Sequence, residues 1–207
     1  ASFAVSGYGA VRNPVHEQTI RGILEDSFDL PVVCGHELSG QLNFVARAHT
    51  AVLNARLIPL IEELLDAVED VLTNRGVDAP IYVVRGDGSI MRRGVARTRA
   101  IETVMSGPAA SAAGGRYLTG SEDALVVDMG GTTTDIAAMR SGRLTLTPEG
   151  ARVGEWQTSV AAADIQTSGL GGDSLVRPGK RESLKVGPGR AVPLCWLAAH
   201  HDHVADE

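Results

Sequence analysis

The sequence predicts an α/β protein. Short runs rich in Val, Ile and Leu, bounded by glycine and proline, alternate with segments of helical periodicity up to about residue 105. Beyond residue 120, three such runs follow one another across tight turns, as in an antiparallel meander. Aromatic residues make up only 4% of the chain, so the core must be built from Val, Leu, Ile and Ala. These features predict two α/β lobes that meet near residue 106.

Composition excludes several classes of protein. The 207 residues carry 19 basic and 25 acidic side chains, a net charge of −6, which argues against a general nucleic-acid binder. No apolar run reaches the roughly 18–20 residues that would span a membrane. Cys34 and Cys195 lie far apart and form no C-x-x-C pair, so we expect reduced thiols in a cytoplasmic protein. Because residues 2–6 already have the pattern of a strand interior, we expect the chain to be an internal piece of a longer protein.

The first half of the chain predicts short strands packed on helices. Strands are predicted at 2–8, 30–33 and 81–84, the last closed by the glycines at 86 and 88. Asn13-Pro14 should open a helix that runs to about Leu24. Apolar residues at spacings of three and four predict helical structure over 42–74, which Pro59 should kink or split and Gly76 should end.

The second half predicts one helix and a meander. Residues 106–115 are almost all small and predict a helix capped by Ser106, able to lie close to another backbone. Strands are then expected at 124–129, 134–139 and 144–147, with turns at 130–133 and at Ser141-Gly142. The predicted organisation is a first-lobe part over 1–105, a connecting helix over 106–120 and the start of a second lobe over 121–207.

The segment 128–135, Asp-Met-Gly-Gly-Thr-Thr-Thr-Asp, carries the clearest chemical signal. Adjacent glycines let backbone N–H groups converge on an anion, and threonine hydroxyls can add further donors. Asp128, at the end of a buried strand, is placed to hold a hydrated Mg²⁺ beside phosphate oxygens. The alternative is an ordinary Gly-Gly hairpin with flanking acids, because Asp and Thr are common near turns.

The context of this segment resembles the second phosphate motif of the actin, sugar kinase and heat-shock chaperone ATPase superfamily. In that superfamily a small-residue helix joins two lobes and directly precedes the motif, as 106–115 does here. Segment 167–173 is similar to the glycine-pair segment that follows the meander in the chaperones. The resemblance implies part of an actin-like (ribonuclease H-like) two-lobe ATPase fold.

A closer resemblance is to one branch, the ATP-dependent hydantoinase A and 5-oxoprolinase family. It rests on ordered segments along nearly the whole chain: 4–8, 11–17, 50–55, 106–110, 128–135 and 186–188 with Cys195 downstream. The family implies hydrolysis of a five-membered cyclic amide after ATP phosphorylates its carbonyl oxygen, together with a hydantoinase B-type partner subunit. Relatives also include ATP-dependent ketone carboxylases, and a nucleotide-driven switch or activator of the same superfamily stays open as another class.

The same resemblance implies the site residues. Asp128 and Asp135 would be catalytic, Asp128 would bind Mg²⁺, and ATP would contact a set of loop residues. That set is Gly130, Gly131, Thr132, Thr133, Gly171 and Gly172.

The chain also departs from the family pattern. Asp173 stands where the family tends to have glycine, and an acid there could repel a phosphate or coordinate a cation. The superfamily needs a first Asp-x-Gly-Gly-Thr loop, yet the glycines before residue 35, Gly7, Gly9 and Gly22, do not follow an Asp. We therefore expect half an ATP site and no ATP turnover by this chain alone.

Other polar clusters favour structural roles. His16-Glu17 and His36-Glu37 are isolated pairs for which capping and surface contacts are favoured over a metal site. The cluster Arg92, Arg93, Arg97 and Arg99 predicts a solvated basic face or a contact with a partner subunit. Cys195 lacks a visible His/Asp arrangement for a nucleophile, and the tail 200–203 predicts at most adventitious metal binding.

Overall fold

The computed structural model describes residues 1–180 and 183–201. The helices are α1 (Val15–Ser27), α2 (Gly35–Leu38), α3 (Phe44–Asn74), α4 (Arg93–Thr98), α5 (Ser106–Thr119) and α6 (Leu194–His200). The strands are β1 (Phe3–Val5), β2 (Val32–Cys34), β3 (Tyr82–Val84), β4 (Ile90–Arg92), β5 (Ala124–Met129), β6 (Thr134–Arg140), β7 (Arg143–Leu144), β8 (Arg152–Val153), β9 (Trp156–Gln157), β10 (Ile165–Ser168), β11 (Ser174–Pro178) and β12 (Leu184–Arg190). The α/β expectation is confirmed. Over these two ranges, no helix combines the length and the apolar character needed to cross a membrane.

Helix α3 organises the first half of the chain. Strands β1 and β2 pair in parallel, and β2 packs through Val33 against Ala51, Ala55 and Ile58 of α3. A second cluster joins Leu53 of the same helix to buried residues of the later segment 151–162. Thus α3 supports both the β1–β2 pair near the start of the chain and the segment 151–162.

The helix α3 is continuous, so of the two predicted effects of Pro59, a kink or a split, the split does not occur. Pro59 has no N–H to donate to the carbonyl of Ala55, four residues earlier. The hydroxyl of Ser2 donates to that carbonyl instead, at 2.5 Å. The predicted end at Gly76 is confirmed: it has φ +69°, and the N–H groups of Gly76 and Val77 donate to Thr73 and Leu72, as in a Schellman motif.

The predicted meander is confirmed. Strand β6 pairs with β5 on one edge, and on the other with β7 and, nearer its start, β10. The β6–β7 turn has positive φ at Ser141 and Gly142, which suits a tight hairpin. The third strand is shorter than expected, because after Thr145, whose N–H still donates to Ala138 of β6, the chain turns to another partner and Leu146 bridges to Ala163.

Helix α5 covers one face of this sheet. Ala109 and Ala112 are fully buried, and Ala112 packs with Ala137 and Met139 of β6. Small residues therefore let the helix approach the sheet closely, as predicted. Ser106 is not the cap, however: it is the first residue of the helix, and Met105 precedes it with φ +63°.

Candidate functional site

The segment 128–135 forms the β5–β6 hairpin. Asp128 lies directly opposite Asp135 in the strand register, so the two carboxylates share one face of the sheet. Asp128 is exposed and Asp135 half-buried, and among the described residues neither forms an ion pair. Because like charges directly across a strand pair are destabilising, this pair does not serve the stability of the hairpin.

The turn of this hairpin presents free donors. The N–H of Gly130 is used internally, donating to the carbonyl of Thr133 at 2.9 Å. The next three N–H groups, of Gly131, Thr132 and Thr133, make no hydrogen bond within the part of the chain that the structure describes. Successive unpaired N–H groups at a turn form a concavity that suits an anion.

The strand β10 fixes one of the two carboxylates. Thr167 pairs with Asp135 in the β6–β10 register, and its hydroxyl donates to Oδ1 of Asp135 at 2.6 Å. Asp128 has no such partner among the described side chains. The two acids therefore differ: Asp135 is oriented by the protein, while Asp128 is free to bind a ligand.

A second loop, residues 169–173, packs directly against the hairpin turn. The N–H groups of Gly172 and Asp173 donate to the carbonyls of Gly130 and Gly131, at 2.9 and 2.8 Å. A Cβ at position 171 would lie 2.5 Å from the carbonyl oxygen of Gly131, so only glycine fits there. This loop therefore supports the hairpin turn through backbone hydrogen bonds and close packing.

That contact bears on the expectation that Gly171 and Gly172 bind the cofactor. The N–H of Gly171 donates to the hydroxyl of Ser174 at 2.9 Å, and that of Gly172 is already used by the turn. Neither N–H is free for a phosphate in this arrangement. In the same loop, Oδ1 of Asp173 is buried and has no hydrogen-bond partner.

The residues of the hairpin fit Mg²⁺ and a phosphate group. Hard cations prefer carboxylate oxygen and water, which the exposed Asp128 beside Asp135 can provide. The free N–H groups of the turn, at 131–133, suit phosphate oxygens. Groups suited to a cation and groups suited to an anion thus adjoin one another on a single hairpin.

The sequence interpretation missed a buried polar cluster near the start of the chain. Glu17 is only 1% exposed, so of the two expected roles the surface contact is wrong, whereas its carboxylate does cap a backbone N–H in the first turn of α2. Its carboxylate accepts hydrogen bonds from Gly7 N at 2.6 Å and from His36 N and Nδ1 at 3.0 and 2.6 Å. Cys34 is fully buried beside them, and this burial raises the pKa of its thiol. No local sequence signal links α1 to α2 in this way.

The arginine cluster is also only partly as expected. Arg92 is exposed, but Arg93 pairs with Glu69, Arg97 with Asp66, and Arg99 with Glu102. The hydrogen bond from Arg93 lowers the pKa of Glu69 and raises that of Arg93 itself. Three of the four cations are therefore paired within the chain. Of the histidine-rich tail, 202 and 203 lie outside the described residues.

Comparison with solved structures gives the class of fold. The chain is similar to ATP-dependent caprolactamase from Pseudomonas jessenii, with a TM-score of 0.76 and 29% identity over 91% of this chain and 28% of that one. It also resembles nucleotide-free acetone carboxylase in fold, with a TM-score of 0.62 at 20% identity, over 90% of this chain and 28% of that one. The fold is thus of the actin-like ATPase type.

Sequence comparison gives the family. The hydantoinase/oxoprolinase model matches residues 47–193, and the chain belongs to that family. It is 30% identical to the caprolactamase α subunit of Pseudomonas jessenii, over 93% of this chain and 29% of that protein. For 5-oxoprolinase of Saccharomyces cerevisiae the identity is 29%, over 92% of this chain and 15% of the relative. For the acetophenone carboxylase γ subunit of Aromatoleum aromaticum it is 26%, over 94% and 28%.

These comparisons confirm the resemblance to the family. The resemblance covers only part of each relative, because the chain spans less than a third of the length of each of them.

Proposed function

We propose that this chain carries one of the phosphate-binding hairpins of an ATP-dependent enzyme that hydrolyses a five-membered cyclic amide. The observation that supports this most directly is the β5–β6 hairpin, where three free backbone N–H groups adjoin the unpaired carboxylate of Asp128. The named activities of the relatives, caprolactamase and 5-oxoprolinase, support the amide class.

The chemistry needs activation because an unstrained amide is a poor electrophile. When bound, ATP would supply the phosphoryl group that makes the amide carbonyl carbon electrophilic, so that water could add there and the ring C–N bond could break, with the proton going to the nitrogen. A second water would then release phosphate and leave the carboxylate. In this proposal Asp128 would hold the accompanying Mg²⁺, since its carboxylate has no partner among the described residues. The N–H groups at 131–133 donate to phosphate oxygens, where the hydroxyls of Thr132 and Thr133 can assist.

Asp135 has a different task in this proposal. Its hydrogen bond from Thr167 holds one carboxylate oxygen in place, leaving the other to orient the water shell of the metal or the attacking group. Gly171 and Gly172 act through the turn: the first allows close approach and the second donates to the Gly130 carbonyl. Both glycines therefore position the phosphate site.

Carboxylation of a ketone is the second candidate function. It is favoured by the similarity to the acetophenone carboxylase γ subunit, which has coverage of this chain like that of the amide-hydrolysing relatives. Both reactions begin with an ATP-activated oxygen, so the hairpin suits either. We also propose a B-type partner subunit, supported by the relatives that are named as subunits.

Two assays on the complete protein with its partner subunit separate the candidates. Five-membered cyclic amides should stimulate phosphate release from ATP. Mass spectrometry should show that the ring is opened to the amino acid. A ketone with ¹³C-bicarbonate should yield no labelled carboxylate. Labelled product from the ketone, with the amides inert, would replace the hydrolase proposal by the carboxylase. Phosphate release unchanged by either substrate would contradict both.

A further inference from the structure

A second cluster of potential ligands lies away from the hairpin, at the junction of α1, β2 and α2. It consists of Glu17 on α1, Cys34 at the end of β2 and His36 on α2. Glu17 is 1% exposed, Cys34 is fully buried, and the side chain of His36 is 16% exposed. The function proposed above uses none of them.

The spacing of these side chains suits a single metal ion. Each offers one ligand atom, and these atoms all lie within 4.8 Å of one another. In a tetrahedral site, ligand atoms bound at about 2.0–2.3 Å stand roughly 3.3–3.8 Å apart, so side-chain shifts of about 1 Å would close the site. A carboxylate, a thiolate and an imidazole together favour a borderline-soft ion such as Zn²⁺ over Mg²⁺ or Ca²⁺.

The surroundings of the cluster provide further support. The hydroxyl oxygen of Ser6 is buried and finds no hydrogen-bond partner in residues 1–180 and 183–201. Position 35 is glycine, and a Cβ there would lie 3.1 Å from this hydroxyl and 3.5 Å from Oε1 of Glu17. The glycine therefore leaves free the space between an unpaired oxygen donor and the carboxylate.

The carboxylate is also held by the backbone. Gly7 N donates to Oε1 and His36 N donates to Oε2. Hydrogen bonds of this kind orient the ligands of a metal and are part of an organised site.

From this geometry we propose that Glu17, Cys34 and His36 bind one transition-metal ion of the Zn²⁺ type, with the hydroxyl of Ser6 beside the fourth position. In the metal-free protein Nδ1 of His36 and Oε2 of Glu17 share a proton at 2.6 Å, and the ion takes the place of that proton. That proton and the thiol proton of Cys34 both leave to solvent. The ion would join β1, α1, β2 and α2, and so stabilise this corner of the fold.

Cobalt(II) titration of the complete protein tests the proposal, because a Co–thiolate bond absorbs in the near ultraviolet. We expect one Co²⁺ site per chain, from which Zn²⁺ displaces the Co²⁺. The absorption should vanish in Cys34→Ser. In His36→Gln the affinity for Co²⁺ should fall at least about tenfold. The matched control is Cys195→Ser, which removes the exposed free thiol and should keep the band. Circular dichroism of each variant confirms that it is folded.

A thermal shift provides an independent readout. Zn²⁺ should raise the Tm of the wild type and of Cys195→Ser but not of Cys34→Ser. Absence of a Co–thiolate band in the folded wild type would overturn the proposal. A band that survives Cys34→Ser, or one lost with Cys195, would also overturn it, because the metal would then sit elsewhere, as in the histidine-rich tail.

Discussion

The hydroxyl of Thr167 lies 2.6 Å from Oδ1 of Asp135, so strand β10 orients a carboxylate that belongs to the neighbouring strand β6. This bond distinguishes Asp135 from Asp128, which stands directly opposite across β5–β6 and has no side-chain partner among the described residues. A bond at an exposed site contributes only about 1 kcal/mol to stability. Its main consequence is therefore the orientation of the carboxylate.

Replacing Thr167 by valine should separate orientation from stability. Thr167→Val keeps the side-chain shape but leaves Asp135 free to rotate. In the complete protein we therefore expect kcat to fall by about tenfold while the KM for ATP changes little. The Tm should move by no more than that of Thr145→Val, a control whose hydroxyl makes no hydrogen bond among the described residues. Equal kinetics in the two variants would show that Thr167 does not position Asp135.

Helix α3 provides a test of backbone pairing. Ser2→Ala removes the donor to the Ala55 carbonyl, which Pro59 leaves unpaired in a buried position, and should lower the free energy of unfolding by about 1–2 kcal/mol. Adding Pro59→Ala restores an N–H to that carbonyl, so the double variant should recover most of the loss. Denaturant unfolding of the four proteins checks this cycle. Additive losses would mean that Ser2 acts elsewhere.

The turn between β3 and β4 holds a carboxyl group, that of Asp87, which should make the stability of the fold depend on pH. Burial raises the pKa of Asp87, but hydrogen bonds from the hydroxyl and the N–H of Ser89, with Arg85 nearby, outweigh it and hold the pKa below its ordinary value of 3.8. The charged form is thus favoured in the folded state. The stability it contributes is present above pH 3.8 and is lost as the pH falls through the lower, folded value.

Ser89→Ala should raise the pKa of Asp87, because it removes one of those hydrogen bonds. The pKa of Asp87 is measured in both proteins by following its carboxyl ¹³C chemical shift as the pH changes. Titration of the wild-type Asp87 at or above 3.8 would contradict this interpretation.

How far the sequence predicts this fold depends on how local each feature is. The meander follows from alternating apolar residues and from Gly-Gly and Ser-Gly turns, all within about twenty residues, and it was predicted correctly. The contact of Gly172 with Gly130, the burial of Glu17 against His36 and the Ser2–Ala55 bond join residues far apart in the chain. No periodicity records such pairs, and the same is true of the pairing of Arg93 with Glu69 and of Arg97 with Asp66.

The nucleotide affinity of the 207-residue chain alone should be low. Segment 128–135 is the one Asp-x-Gly-Gly-Thr sequence in the chain, and a single hairpin closes around only part of a nucleotide. Calorimetry should show little or no binding of Mg·ATP, and phosphate assays no hydrolysis. Micromolar affinity, about −8 kcal/mol, would contradict the assignment of half a site.

The most direct test of the central claim is the kinetics of Asp128→Asn in the complete protein at saturating Mg·ATP. Asp128 is assigned to the metal that stabilises charge as the phosphoryl group transfers, so kcat should fall by roughly 10²–10³-fold, about 3–4 kcal/mol, with a much smaller change in affinity. Thr132→Ala should cost less, because the N–H groups of the turn remain. The exposed Asp164→Asn, whose side chain makes no hydrogen bond among the described residues, should behave as wild type. A near-normal kcat for Asp128→Asn would contradict the assignment of this hairpin to phosphoryl transfer.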